Sequence, residues 1–321
     1  MPVTTTRPAP APAPAQRANR MTLDAIRRGK IAVPLTVLLY GVEGIGKSTF
    51  GACSDRPVFL GAEDGTSHLD VERFPTPESW LDVLDAIRTL TAGEHPYRTL
   101  VVDTLDWAEP ILWRYICERD GKANIEDYGY GKGYTAALDE WRIFISTIER
   151  LRAAKRMDVV MLAHAQIKAF KNPEGEDFDR YQLKMHEKAA GLLKEWCEVV
   201  LFANHETFAA EDKRTKRIKG ISTGARLIYT TRTAAYDAKN RFGLPEAMPL
   251  DWSEFHAAVR AQQPASPESL IAQIREGLAK LDEASAAKCG AALERAAGDA
   301  LKLSQLLNLV NAKAAAVAGG D

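Results

Sequence analysis

The chain has 321 residues, of which 46% are hydrophobic and 26% charged, and its formal net charge is −1. These values describe an ordinary globular chain, long enough for one large domain or for a core with an appendage. They exclude a molecule that is basic as a whole, so any nucleic-acid contact must rest on a local patch. The cysteines Cys53, Cys117, Cys197 and Cys289 show neither C-x-x-C nor metal-ligand spacing, and no stretch has the length of a membrane helix or the apolar core of a secretory signal. The expected setting is a reducing cytoplasm with no membrane partner.

Residues 1–20 carry the run PAPAPAPA and cannot bury enough surface to offset their ordering entropy, so a disordered, partly polyproline arm is expected there. A short helix capped by Thr22 is expected over Leu23–Arg28. Thr36–Tyr40 then reads as a buried strand, followed by Gly41-Val42-Glu43-Gly44-Ile45-Gly46-Lys47-Ser48, which fits G-x-x-x-x-G-K-[ST] at every fixed position. With Thr49-Phe50-Gly51-Ala52 opening a helix, this is the strand–loop–helix frame of a phosphate-binding P-loop. Its consecutive N–H groups form an anion site. Lys47 is placed on the β- and γ-phosphates of ATP and the Ser48 hydroxyl on Mg²⁺.

Pro57–Leu60 reads as a second buried strand and delivers Glu63 to the nucleotide edge of a parallel sheet. A helix is expected over Pro77–Leu90 with Thr76 as its cap. Thr99–Thr104 is a continuous apolar strand ending in Asp103, the carboxylate that a P-loop needs for the metal's shell. Trp107–Asp120 reads as helix. Gly121–Gly133 reads as loop, with Tyr128, Tyr130, Lys132 and Tyr134 interleaved among glycines: either a mobile segment that stacks bases and meets phosphates, or a turn whose tyrosines pack locally. Thr135–Ala154 has Leu138, Trp141, Ile145, Ile148 and Leu151 at helical spacing, a core stripe.

Met157–His164 is the next buried strand, and a polar side chain of the segment His164-Ala165-Gln166-Ile167-Lys168 at its end can sense the γ-phosphate. Phe170–Leu183 reads as a flexible loop, and Lys168, Lys171 and Lys184 beside it are candidate DNA contacts. A helix over Lys184–Glu195 and a strand over Val199–Ala203 follow. Glu206–Ala210, Arg217–Ile221 and Arg226–Thr231 read as shorter strands forming an antiparallel extension. Lys213, Arg214, Lys216, Arg217 and Lys219 crowd one of their turns, as a solvated face or as a phosphate patch. Residues 21–260 are thus read as one core. Residues 261–321 are read as a linker at Gln262–Pro267 and an Ala/Leu-rich region of two or three short helices.

Strands alternating with helices set the fold class as α/β with a mostly parallel sheet. Pro57–Asp64 resembles the strand of RecA-like recombinases that ends in their catalytic glutamate, Leu100–Thr104 their Walker B strand, and His164–Lys168 the segment whose glutamine couples nucleotide state to a DNA-binding loop. Gly131–Tyr134, Ala163–Ile167 and Arg232–Arg241 are similar to phage-encoded RecA-like ATP-binding proteins. The resemblance spans about Leu35 to Trp252 and implies a RecA-like core that hydrolyses Mg-ATP with Glu63 as base. It also implies single-stranded DNA binding in recombination or annealing, in a bacterial host's cytoplasm. A homo-oligomer, ring or short filament, and contact with a single-strand-binding protein are further implications. Arg232, Lys239 or Arg241 would act as a cation on a neighbouring subunit's nucleotide. The sequence departs from the recombinase pattern where His164 and Ala165 stand in place of a glutamine nearer the strand, and the recombinases' N-terminal polymerisation module has no counterpart. Three other readings share the P-loop: a hexameric helicase-type motor, a nucleotide-gated interaction module, and a small-molecule kinase. The last lacks an arginine-rich lid between P-loop and Asp103.

Overall fold

Apolar runs without a polar break build the centre of the sheet. In chain order the elements of the computed structural model are β1 (Thr36–Gly41), α1 (Lys47–Ala52), β2 (Pro57–Gly61), β3 (Glu72–Arg73), α2 (Trp80–Ala92), β4 (Thr99–Asp103), α3 (Leu105–Arg119), α4 (Lys132–Lys155), β5 (Asp158–Phe170) and β6 (Phe178–Leu183). There follow α5 (Glu187–Trp196), β7 (Val199–Glu211), β8 (Ile218–Tyr229), β9 (Lys239–Asn240), β10 (Ala247–Pro249), α6 (Trp252–Gln262), α7 (Pro267–Leu278), α8 (Glu283–Ala296) and α9 (Ala300–Ala318). The structure describes residues 22–23, 26, 32–61, 67–211, 218–263, 265, 267–296 and 299–318, without the side chains of 208–211, 218–222, 268, 300–301 and 315–318. The Pro/Ala-rich arm, most of the helix expected over Leu23–Arg28, Glu63 and the charge cluster at 212–217 lie outside the described residues.

The sheet runs β10-β8-β7-β1-β5-β4-β2-β3, with β6 joined to β5 and β9 to β7. β1, β2, β3, β4, β5 and β7 pair in parallel, and the β5–β6, β7–β8, β7–β9 and β8–β10 pairs are antiparallel. This is the expected α/β class, a mostly parallel sheet extended by antiparallel strands. Alternation of side chains along the strands sends Leu38, Tyr40, Leu60, Val102, Met161 and Phe202 to one face, under α2–α5. Val37, Leu39, Phe59, Val101, Leu162 and Leu201 go to the other, under α1 and α6. Trp80, Trp141 and Phe144 lock α2 onto α4 in edge-on ring contacts of 5.2 and 5.4 Å about Trp141, and each fully buried large side chain contributes about 1.5–3 kcal/mol. On α4 Ala137 and Phe144 are buried where Leu138 and Ile145 were expected; those two are half-buried.

Several boundaries differ from expectation for physical reasons. Ser79, not Thr76, caps α2: its hydroxyl accepts from the Asp82 amide while the Asp82 carboxylate takes the Ser79 amide, a reciprocal pair that fixes the start at Trp80. Of the segment Phe170–Leu183 only residues 171–177 form the expected loop, because β5 runs on to Phe170 and β6 pairs back along it from Phe178 to Leu183. The short strands expected beyond Ala203 are two long ones, β7 and β8, with an irregularity between His205 and Thr207. Half of the Tyr/Gly loop is helix: Ile125–Tyr128 is a 3-10 turn capped by Asn124, and α4 already begins at Lys132. The C-terminal helices α7, α8 and α9 bury Leu270, Ile274, Cys289, Leu303, Leu306 and Val310 against one another.

Candidate functional site

The P-loop leaves β1 between two neighbours that outrun it. Gly41 pairs with His164 of β5 on one side and with Ala203 of β7 on the other. A side chain at Gly41 would meet the Ala203 carbonyl oxygen at 2.3 Å, so only glycine permits this approach. Beyond it, Gly44 (φ 71°) and Gly46 (φ 107°) take the left-handed conformations that turn the loop into the first turn of α1. Lys47 is buried, its Nζ donating to the carbonyls of Gly41 (3.3 Å) and Val42 (3.1 Å). Thr49 is exposed on α1, Val42 half-buried and Glu43 exposed.

β4 brings Asp103 under α1, where the Ser48 hydroxyl donates to its Oδ2 at 2.6 Å. Burial pushes the Asp103 carboxyl above its ordinary value, against the bond from Ser48 and the charge of Lys47. Thr104, next in the chain, is buried with a hydroxyl that has no partner among the described residues. A desolvated carboxylate beside a hydroxyl is a pair of hard oxygen ligands that gains from a divalent cation. Ser48 and Asp103 therefore fit Mg²⁺, and Lys47 with the loop amides fits a nucleotide's phosphates.

Asp106 extends this site along α3. Its carboxylate accepts the His164 amide and the His164 ring Nδ1, both at 2.9 Å. Against the upward push of burial, those bonds hold Asp106 below the usual carboxylate range. Sequence reading missed Asp106, which stands three residues past Asp103 in the first turn of α3. His164 occupies the tip facing Gly41, while Gln166 lies further out on β5 and donates its Nε2 to the Leu183 carbonyl of β6 at 2.9 Å. One turn on, buried Glu109 accepts the His186 amide at 2.9 Å, and burial pushes its carboxyl up to about 7. Trp107, between these acids, is 51% exposed.

β5–β6 and β7–β8 project past Gly41 as two hairpin arms. At ~3.3 Å per residue the overruns reach roughly 20 and 25 Å. Lys168, Lys171 and Lys184 are exposed on or beside the first arm. Lys184 lies 4.0 Å from the P-loop carboxylate of Glu43. On the second arm, Arg226 sets Nη1 3.4 Å from the Ile45 carbonyl of the P-loop, a contact that no sequence signal announced.

The aromatic candidates separate. Tyr134 stacks on His186 at 4.0 Å and donates to Glu126. Tyr128 donates to Asp120 at 2.7 Å, and burial together with that bond pushes its hydroxyl up to about 12. Tyr130 stands fully in solvent, and Lys132 is exposed at the start of α4. The trans-acting candidates separate too. Lys239 donates to the carbonyls of Lys194, Glu195 and Cys197, closing the C-terminal end of α5. Arg241 is exposed, and Arg232 is 66% exposed beside Asp237.

The AAA domain family AAA_24 matches residues 33–242, well over half of the chain and all of the P-loop site. The chain belongs to the AAA domain family. The matched region contains Lys47, Ser48 and Asp103, so the nucleotide-binding reading of the P-loop holds for this AAA domain. A curated relative, the SPbeta prophage-derived uncharacterized protein YorG of Bacillus subtilis (strain 168), is 27% identical over 101 residues, 30% of this chain and 31% of the relative. The match therefore spans about a third of each protein. No described helix of the AAA domain is long and apolar enough to cross a membrane.

Proposed function

We propose that this AAA domain is a RecA-like ATPase whose turnover answers to single-stranded DNA, acting in phage-type recombination or single-strand annealing. The observation that carries the reading is the recessed P-loop: β5 and β7, the two strands flanking β1, both overrun Gly41 and fold back as arms. A nucleic-acid strand held by the arms would lie across the two strands that flank the P-loop strand, and the lysines Lys168, Lys171 and Lys184 give it phosphate contacts. Tyr130 offers a bare ring for stacking. The prophage origin of the relative is in keeping with a phage function.

In this reading Lys47 and the loop amides hold the ATP phosphates, Ser48 and Asp103 hold Mg²⁺, and Glu63 orients the attacking water. His164, steadied by Asp106, takes the sensing position at the strand tip, and Gln166 passes the change to β6. Arg232 or Arg241 serves a neighbouring copy's nucleotide in a homo-oligomer, with a single-strand-binding protein as partner, in the bacterial cytoplasm. The test is the ATPase rate with and without oligo-dT, with Lys47→Ala as control. Stimulation by the oligonucleotide that vanishes in the variant is the expected result. Steady hydrolysis indifferent to DNA would remove the DNA half of the proposal, and no hydrolysis under either condition would remove the whole.

A further inference from the structure

A P-loop turns its amides inward to a phosphate, which leaves its carbonyls turned outward and in need of partners. Arg226 supplies one. It lies on β8 on the same face as Ile228, two residues further, which packs in the apolar cluster that also holds Ile45. Nη1 of Arg226 donates to the Ile45 carbonyl at 3.4 Å. A second, steric observation agrees: a side chain begun at Gly46 would come within 2.9 Å of that same nitrogen, so the space left by Gly46 is filled by the guanidinium. The strand position is itself pinned, since the Arg226 carbonyl accepts the Leu250 amide at 2.9 Å. Opposite Arg226 stands His205, and the β7–β8 register shifts immediately beyond it, the kind of irregularity that re-aims side chains near a site. On the other side of the loop the Lys184–Glu43 pair is exposed on both partners and 4.0 Å apart, so it contributes little.

We infer that Arg226 is a positioning residue for the P-loop: its guanidinium braces the Ile45–Gly46 turn from outside and keeps the loop amides convergent on the phosphates. The inference rests on the nucleotide reading of that loop. It also joins the β7–β8 arm rigidly to the nucleotide, because the strand that carries the brace is the strand that forms the arm. Arg226 touches the loop and not the reacting atoms, so its loss acts equally on every nucleotide whose α- and β-phosphates the loop holds.

The experiment is a titration of the full chain with a fluorescent ADP and, in competition, ATP, in wild type, Arg226→Ala, Arg226→Met and Arg226→Lys, with thermal unfolding of each. Arg226→Met keeps the aliphatic stem and guards against a variant that fails to fold. Expected is an affinity loss of about tenfold for ADP and ATP alike in the Ala and Met variants, the size of one lost hydrogen bond from a charged donor, with a smaller loss for Lys. KM for ATP should rise by more than kcat falls. Wild-type ADP affinity in the Met variant would overturn the inference. So would a loss confined to ATP, since that places the guanidinium on the γ-phosphate. If the wild-type chain itself bound no nucleotide, the underlying reading would fall and this one with it.

Discussion

Single side chains here show how burial sets chemistry. Glu109 has one oxygen on the His186 amide and the other, Oε1, without a partner among the described residues, which is why burial dominates its titration. Its carboxyl moves from 4.5 in the unfolded chain to about 7 in the fold. The folded state therefore holds an extra proton between those values, so this group favours folding fully below pH 4.5 and loses that contribution as pH rises through 7. Glu109→Gln, which keeps the acceptor for His186, is expected to gain stability over wild type at pH 8, by up to roughly 3 kcal/mol. The two proteins should converge near pH 4. Urea unfolding at both values checks it; a variant no more stable at pH 8 would show that the carboxylate is hydrated. The neighbouring groups are Asp106, Lys168 and His186, of which Asp106 raises and Lys168 lowers the shift.

Among elements, the first arm is tied to the Thr233–Asp237 segment, where the Ala235 carbonyl accepts the Tyr181 amide at 2.8 Å and a carboxylate, Asp237, takes the charge. Arg180 of β6 is 4% exposed, and Asp237 accepts from it and from Lys194, both at 2.6 Å. Against burial, those partners keep Asp237 below the ordinary range. Asp237→Ala would take the carboxylate from a buried guanidinium that keeps the Thr233 carbonyl at 3.2 Å, and removal of one partner of a buried pair costs about 3–5 kcal/mol. The expected result is that loss in urea unfolding, nearly the same at low and high salt; a loss under 1 kcal/mol, ordinary for an exposed pair, would mean the arm is anchored otherwise. Such anchoring explains what could be read from the sequence. The five central parallel strands are apolar on both faces and announced themselves, as did the P-loop and Asp103. Of the arms, the second shows in the sequence as short antiparallel strands, whereas the first does not, because the apolar side of its alternation, Ala165, Ile167 and Ala169, is small or exposed and Asn172-Pro173-Glu174-Gly175 gives the whole segment the composition of a loop. The glycines before Tyr134 suggested a loop, whereas Gly133 is buried inside α4 because a side chain there would meet the Ile125 carbonyl at 2.3 Å. Asp106, Arg226 and Asp237 matter through partners far away in sequence, which spacing cannot reveal.

At the scale of the whole molecule, neither apolar cluster of the sheet uses a residue beyond Val259, and the C-terminal helices close a core of their own. Removal of residues 264–321 is therefore expected to leave the cooperative unfolding of the remainder intact, its midpoint shifted by no more than about 4 °C, the equivalent of roughly 1 kcal/mol. A chain that loses its sigmoidal transition on truncation would contradict that. The six tryptophans are spread unevenly over this architecture: Trp80 and Trp141 are wholly enclosed and Trp252 nearly so, Trp113 and Trp196 are half-buried, and Trp107 is 51% exposed one residue from the Asp106–His164 pair. Indoles in the interior emit at the blue edge and are shielded from collisional quenchers, whereas Trp107 emits at the red edge and is reached first. Trp107 is thus an optical probe beside the nucleotide pole: the emission that a collisional quencher removes first reports that pole, the half-buried Trp113 and Trp196 follow, and the blue edge reports the core.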